Sequence, residues 1–184
     1  MKQKAAVYRL TSCALMAAVM CVLGPMAIPI GPIPVSLTNL VIYLAIYLLG
    51  KRGTLISYGV YLALGAAGMP VFSGYQGGLG KLAGPTGGYL VGFVLMILLS
   101  GLVMERARGN LPITMAGMAV GTAVAYLFGT VWFVLVMECQ VWYALTVCVF
   151  PFIPFDLAKI VAAAALGRAV RGALVRGKLL PERS

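Results

Sequence analysis

Asp156 and Lys159 carry opposite charges three residues apart, inside the last apolar run of the chain, which starts near Phe155 and ends at Arg168. On a helix that spacing puts both side chains on one face. A charge near the middle of a bilayer costs about 2.5–3.5 kcal/mol even on lenient insertion scales, so a pair kept there marks a site. Two plainer readings stand beside that one: a salt bridge that locks one helix, and an aspartate in a first helical turn that satisfies free N–H groups.

The setting of the pair is a membrane. Of 184 residues, 62% are hydrophobic and 10% charged, with mean hydropathy +1.02, whereas a soluble chain carries about one quarter charged residues. The length admits one integral membrane domain over residues 1–184, all-α, with about six spans of roughly 20 residues each, and leaves no room for a soluble catalytic domain.

The net charge of +10 raises the question of nucleic acid, and its distribution answers it. Twelve of fourteen basic residues (Lys2, Lys4, Arg9, Lys51, Arg52, Arg106, Arg108, Arg168, Arg171, Arg176, Lys178 and Arg183) lie at the termini or in two short breaks between apolar runs. That is the positive-inside signature, and it argues against nucleic acid. The tail from Arg168 to Arg183 suits contact with anionic membrane lipid as a secondary effect. Cys13, Cys21, Cys139 and Cys148 lie in apolar surroundings without C-x-x-C spacing and read as small hydrophobes. The chain has no histidine, so neither a zinc set, nor any other metal site, nor a histidine-based catalytic centre is expected.

The elements that position the pair can be followed along the chain. Lys2, Lys4 and Arg9 precede an apolar run from Leu10 to Leu23, which has the form of a signal peptide but leads straight into a patterned segment and is read as the first span. Gly24 to Pro34 holds Pro25, Pro29, Pro32 and Pro34 and no charge. It cannot be regular helix. It lies either at membrane depth against protein or a cavity, or as a tight outer connection. Ser36–Leu49 and Thr54–Gly68, separated by Lys51-Arg52, read as two short spans. The glycine-dense stretch Met69–Tyr89 is expected to be an ordered outer loop resembling a lid, because Val71, Phe72 and Tyr75 need burial. Further spans follow at Tyr89–Met104 and Pro112–Met137, then a half-helix or re-entrant turn at Gln140–Phe150, and the last span. Six crossings with both termini cytoplasmic leave Lys81 as the basic residue of the outer loops.

Gly80-Lys81 imitates the end of a phosphate-binding loop. The pattern fails at Tyr75, where its first glycine belongs, and at Leu82, where a hydroxyl residue belongs. The chain is therefore not expected to hydrolyse ATP. Uphill movement of a solute would need an ion gradient or a partner.

Gly68-Met69-Pro70-Val71-Phe72, Gly77-Gly78, Gly84-Pro85-Thr86-Gly87-Gly88-Tyr89, Gly129-Thr130-Val131-Trp132-Phe133 and Pro151-Phe152-Ile153-Pro154-Phe155-Asp156-Leu157-Ala158-Lys159 together resemble the BioY family, the biotin-binding membrane subunits of energy-coupling factor (ECF) transporters. The resemblance covers nearly the whole chain. It implies a six-helix subunit, not an enzyme and without cofactor, that captures biotin from outside the cell membrane and joins a transmembrane coupling protein and paired ATPases. It also implies that Ala14 and Ala18 form the contact with the coupling protein, since small residues four apart let helices approach closely. Where the family has a Pro-Val-x-Leu-Gln-Thr pattern, this chain has Pro34-Val35-Ser36-Leu37-Thr38-Asn39, with Thr38 in the glutamine position. A polar residue of the glycine loop helps to hold ligand in the family, and either Gln76 or Tyr75 stands for it here.

For biotin, an ionised Asp156 suits the ureido N–H groups, and Lys159 suits the carboxylate or the ureido carbonyl. Trp132, Tyr89 and Phe72 are candidates to enclose the ring system, with core packing as the alternative for each. Two other transport readings remain open: a subunit for another vitamin, and an ion-coupled carrier with Asp156 as proton relay. An intramembrane enzyme has little to support it, because no Ser, Cys or Thr is paired with a base and Glu138 reads as a solvated charge.

Overall fold

The computed structural model describes residues 2–29, 33–107 and 109–177, with side chains from residue 7 onward. Pro32, Arg108, Lys178 and Arg183, and the side chains of Lys2 and Lys4, lie outside the described residues. Seven helices and one two-stranded ribbon follow in order: α1 (Lys2–Leu23), β1 (Ala27–Ile28), β2 (Val35–Ser36), α2 (Thr38–Ala66), α3 (Leu79–Ala83), α4 (Gly87–Arg106), α5 (Leu111–Met137), α6 (Val141–Cys148) and α7 (Phe152–Arg176). β1 and β2 pair antiparallel, Ala27 opposite Ser36 and Ile28 opposite Val35. The described residues of the proline-rich segment are thus non-helical, as the prolines require. Ile33 and Val35 are buried, which favours the reading of a segment laid against protein over that of an outer connection.

The expected six crossings are not found. Among the described residues, three helices are long and apolar enough to cross a membrane, α2, α4 and α5, or four if α6 and α7, bent by 43° across a short break, count as one span. The reasons are local. Lys51-Arg52 reads as a loop between two spans, yet both residues are helical and the break between the two helical runs of α2 is a single residue, Gly50, at φ 69° and ψ 177°. A single glycine is enough, since it reaches positive φ without steric penalty. In α1 the apolar stretch among the described side chains is Val7–Leu23, short of the about 20 residues a span needs. In α7 Asp156, Lys159 and Arg168 interrupt the apolar run. The inside–outside assignment of the loops rested on the six-span count and falls with it. The helices that do qualify make the chain an integral membrane protein.

Packing explains how these helices stay together where lipid removes the hydrophobic drive between them. α4 lies along α5, α1 along α2, and α2 touches both α4 and α7. The main core joins Met20 of α1, Tyr43, Ile46, Tyr58 and Tyr61 of α2, Met96 and Ile97 of α4, Met118 of α5 and Ile160 of α7. Polar side chains stitch the same surfaces. Tyr58 Oη donates to Leu90 O at 2.7 Å, Ser57 Oγ to Cys13 O at 2.9 Å, Ser100 Oγ to Gly117 O at 3.1 Å and Tyr43 Oη to Met118 O at 2.9 Å. A smaller cluster, Ile33, Val35, Phe133, Ala144, Cys148 and Phe152, gathers where α6 and α7 meet the extended segment. At the start of α5, Asn110 caps the helix with its side-chain oxygen, which accepts from Ile113 N–H at 3.4 Å, and Pro112 occupies the first turn where no N–H is missed.

The loop from 67 to 86 is ordered by few but specific contacts. Phe72 and Gln76 exchange backbone hydrogen bonds at 2.9 and 3.3 Å, Gly74 N–H donates to Pro25 O at 3.0 Å, and Gly78 N–H donates to Gly65 O at 2.7 Å. Val71 and Phe72 are buried as expected, while Tyr75 is 67% exposed. Phe72 presents its ring to the edge of Tyr61, centroids 5.5 Å apart, and lies so close over Gly65 that a Cβ there would fall 2.1 Å from the ring. Gly65→Ala should therefore displace Phe72 and destabilise the protein by about 1–3 kcal/mol. Gly59→Ala, on the same helix with nothing within 4 Å of the added carbon, should be neutral or stabilising by up to about 1 kcal/mol. Melting temperatures of the two variants in detergent check the contrast, and equal values would remove Gly65 as the seat of the loop.

Candidate functional site

Between the two clusters opens a narrow cleft of about 70 Å³, below the range of about 300–1,000 Å³ usual for small-molecule sites. Its wall takes Ile33, Pro34 and Ser36 from the extended segment, Thr38, Asn39 and Tyr61 from α2, and Ser73 from the loop. Thr86, Tyr89, Leu90, Phe93 and Met96 come from α4 and its cap, Thr122, Ala125 and Tyr126 from α5, and Phe152, Asp156 and Lys159 from α7.

Asp156 is the fifth residue of α7, beyond its first turn. A capping role is thereby removed. The pair does form an ion pair, Lys159 Nζ to Asp156 Oδ1 at 2.9 Å. It is not confined to one helix, however. Asn39 Nδ2 of α2 donates to Asp156 Oδ1 at 2.8 Å, Tyr126 Oη of α5 donates to Oδ2 at 2.5 Å, and Lys159 Nζ donates to Ser36 O at 2.7 Å. Four elements converge on one carboxylate and its counter-charge, and both residues line the cleft. A carboxylate offers about four lone-pair positions and an ammonium three donors. Protein groups take three of the former and two of the latter. What is left is one acceptor position beside one donor position, on a pair with no net charge.

The other expected site residues are spread around this centre. Tyr89 lines the cleft and anchors its hydroxyl on Cys148 O at 3.2 Å, with Thr130 Oγ1 at 3.3 Å. Phe72 stands behind Tyr61, which itself faces the cleft. Trp132 is not among the lining residues: its Nε1 donates to Gly84 O at 3.0 Å and its Cβ lies where a side chain on Gly88 would collide. Gln76 borders a separate open hollow with Lys81 and Thr86, where burial pushes the Lys81 ammonium below its usual range. Tyr75, with Met26, Ile28 and Phe155, borders an apolar outer groove that Lys159 also reaches. Ala14 and Ala18 are exposed on α1.

Sequence reasoning did not single out Asn39, Tyr126, Ser36 or Thr86. Asn39 left a signal, since an amide in an apolar helix is costly and asks for a partner. Thr86 stood inside the quoted glycine motif without a role. Tyr126 left none, because an aromatic in a membrane helix reads as packing. Ser36 contributes only its backbone carbonyl to Lys159, and no residue type announces that.

Residues 1–176 match the BioY family. The chain is 38% identical over 141 residues to the "Biotin transporter BioY" of Thermotoga maritima, covering 76% of this chain and 82% of that protein. A second biotin transporter, from Lactococcus lactis subsp. cremoris, is 35% identical over 173 residues, 94% of each chain. Among solved structures, the S-component for biotin from an ECF-type ABC transporter superposes with a TM-score of 0.83 at 30% identity, over 94% of this chain and 95% of that one. With the same architecture and a match running from residue 1 to residue 176, the chain belongs to the BioY family.

Proposed function

We propose that this chain captures biotin in the cell membrane as the substrate-binding S-component of an ECF-type transporter. The observation that carries the reading is the neutral Asp156–Lys159 pair, set in the wall of a cleft in a fold shared with a biotin S-component. A ureido group presents an N–H beside a C=O, the complement of the acceptor and donor positions that the pair keeps free. Tyr89, Phe93 and Phe152 give the ring system an apolar wall. The driving energy comes from partners: a transmembrane coupling protein and paired ATPase subunits.

Capture before any energy is applied requires that the isolated chain bind biotin without ATP. Equilibrium binding to the purified protein in detergent checks this, and a folded sample without saturable biotin binding would end the assignment. Excess thiamine or riboflavin should not compete.

Asp156→Asn and Lys159→Met should each weaken biotin binding by more than the about 1–3 kcal/mol of one unsatisfied polar group, because each change also leaves the other member unpaired in the membrane. Both singles should also lower the melting temperature, and the double replacement should recover part of it. Binding should stay lost in the double variant. If the double variant bound biotin normally, the pair would be a staple and nothing more.

Ala14 and Ala18 are open to a partner helix, and small residues are what close helix approach needs. Replacing both with leucine should abolish assembly with the coupling protein and biotin uptake while leaving biotin affinity intact. Pull-down of the ATPase module and a binding isotherm on the same sample decide it, and lost binding with intact assembly would refute the interface.

A further inference from the structure

We propose that the exposed aromatic face of α6 docks on the lipid bilayer, with Trp142 and Tyr143 seated at the boundary between headgroups and acyl chains.

α6 has two unlike faces. Ala144 and Cys148, four residues apart, are buried in the cluster with Phe133, Phe152 and the extended segment. On the other side Val141, Trp142 and Tyr143 are exposed, Trp142 at 69%. Phe150, also exposed, follows the helix and meets the Trp142 ring edge to face, centroids 6.1 Å apart. An open apolar patch of this kind marks a contact surface. None of its four side chains is charged, so what covers it is apolar.

Lipid is the occupant because the patch continues a lipid-facing surface. α5 is long and apolar enough to cross the membrane, and Leu127, Val131, Leu135 and Met137 stay exposed along it up to its last residue. Glu138 then ends the helix in the left-handed conformation at φ 48°, and Val141 opens α6 three residues later. With 27 residues α5 measures about 40 Å, more than the about 30 Å of hydrocarbon, so its end reaches the headgroups. α6 starts at that level. Trp and Tyr favour it, since each has an apolar body and a polar edge.

The length of α7 leads to the same level. Phe152 to Gly167, ahead of the charge at Arg168, makes about 24 Å of helix, which falls short of the hydrocarbon thickness. α6 adds about 12 Å across a bend of 43° and closes the gap. The two helices then make one bent passage, with the aromatic residues at one boundary and Arg168 at the other. The seat also bears on the cleft, because Cys148 O at the end of α6 accepts from Tyr89. Lipid that holds α6 holds that wall.

The chain has two tryptophans, and Trp142→Phe keeps the apolar seat, so the fluorescence lost in that variant belongs to Trp142. Both chains are placed in phosphatidylcholine vesicles brominated either near the glycerol end or near the methyl end of the acyl chain, and in unbrominated vesicles with iodide in the water. The shallow bromine should quench the Trp142 signal at least about twofold more than the deep bromine or iodide does. Strongest quenching by iodide would put α6 in water, and strongest quenching by the deep bromine would put it in the acyl core; either result overturns the seat. Shallow quenching should persist when the chain is assembled with the coupling protein and ATPase subunits, and its loss there would assign the face to a protein partner instead. The vesicle measurement holds whether or not the chain binds biotin.

Discussion

The structure depends on one buried carboxylate. Asp156 sits where charge is expensive, and the chain meets that cost by bringing Lys159, Asn39 and Tyr126 to it from α7, α2 and α5. Lys159 in turn holds the carbonyl of Ser36 in β2. Apart from the Asp156–Lys159 bond, which forms within α7, none of these contacts can form unless the three helices and the extended segment are in register. A polar network of this kind is costly when incomplete and specifying when complete. It orients α7 against α2 and α5 and leaves a narrow polar floor in a cleft whose remaining wall is largely apolar.

That same network limits what the site can do chemically. No described cluster of three or more His, Cys, Asp and Glu residues could hold a metal, and the carboxylate already accepts from three donors. The arrangement suits recognition, in which donors and acceptors are fixed in advance and the ligand completes them.

Parts of this were legible in the sequence because they are local. The i, i+3 spacing of Asp156 and Lys159, the non-helical backbone of the described residues between Pro25 and Pro34 and the burial of Val71 and Phe72 follow from residue type and short-range geometry. Span counting failed where local signals mislead about the length of a break: Lys51-Arg52 looks like a loop, but both residues are helical and the two runs of α2 are interrupted only at Gly50. The site was half visible for a related reason. Asn39 lies 117 residues from Asp156 in sequence and Ser36 lies 123 from Lys159, and nothing in a single chain ties such positions together. Trp132 shows the converse, an aromatic in a motif that serves to hold the start of α4 rather than to line the cleft.

Tight capture and release make opposite demands on the cleft. The loop that borders it is held by a handful of backbone bonds, among them Gly74 N–H to Pro25 O and Gly78 N–H to Gly65 O, and by one buried ring, Phe72 on Tyr61. The Trp132 indole of α5 adds a further tie, on Gly84 O. A ligand that contacts both α7 and the loop side of the cleft favours the state in which it makes both sets of contacts, by its differential affinity alone. Opening then has to be driven from outside the cleft. α1 lies along α2, and α2 supplies Asn39 to the carboxylate, Tyr61 to the wall and Gly65 to the loop. A partner that moved α1 and α2 as a unit would pull on all three at once, which places the pocket's weakest supports on the helix that a partner seated on α1 reaches first.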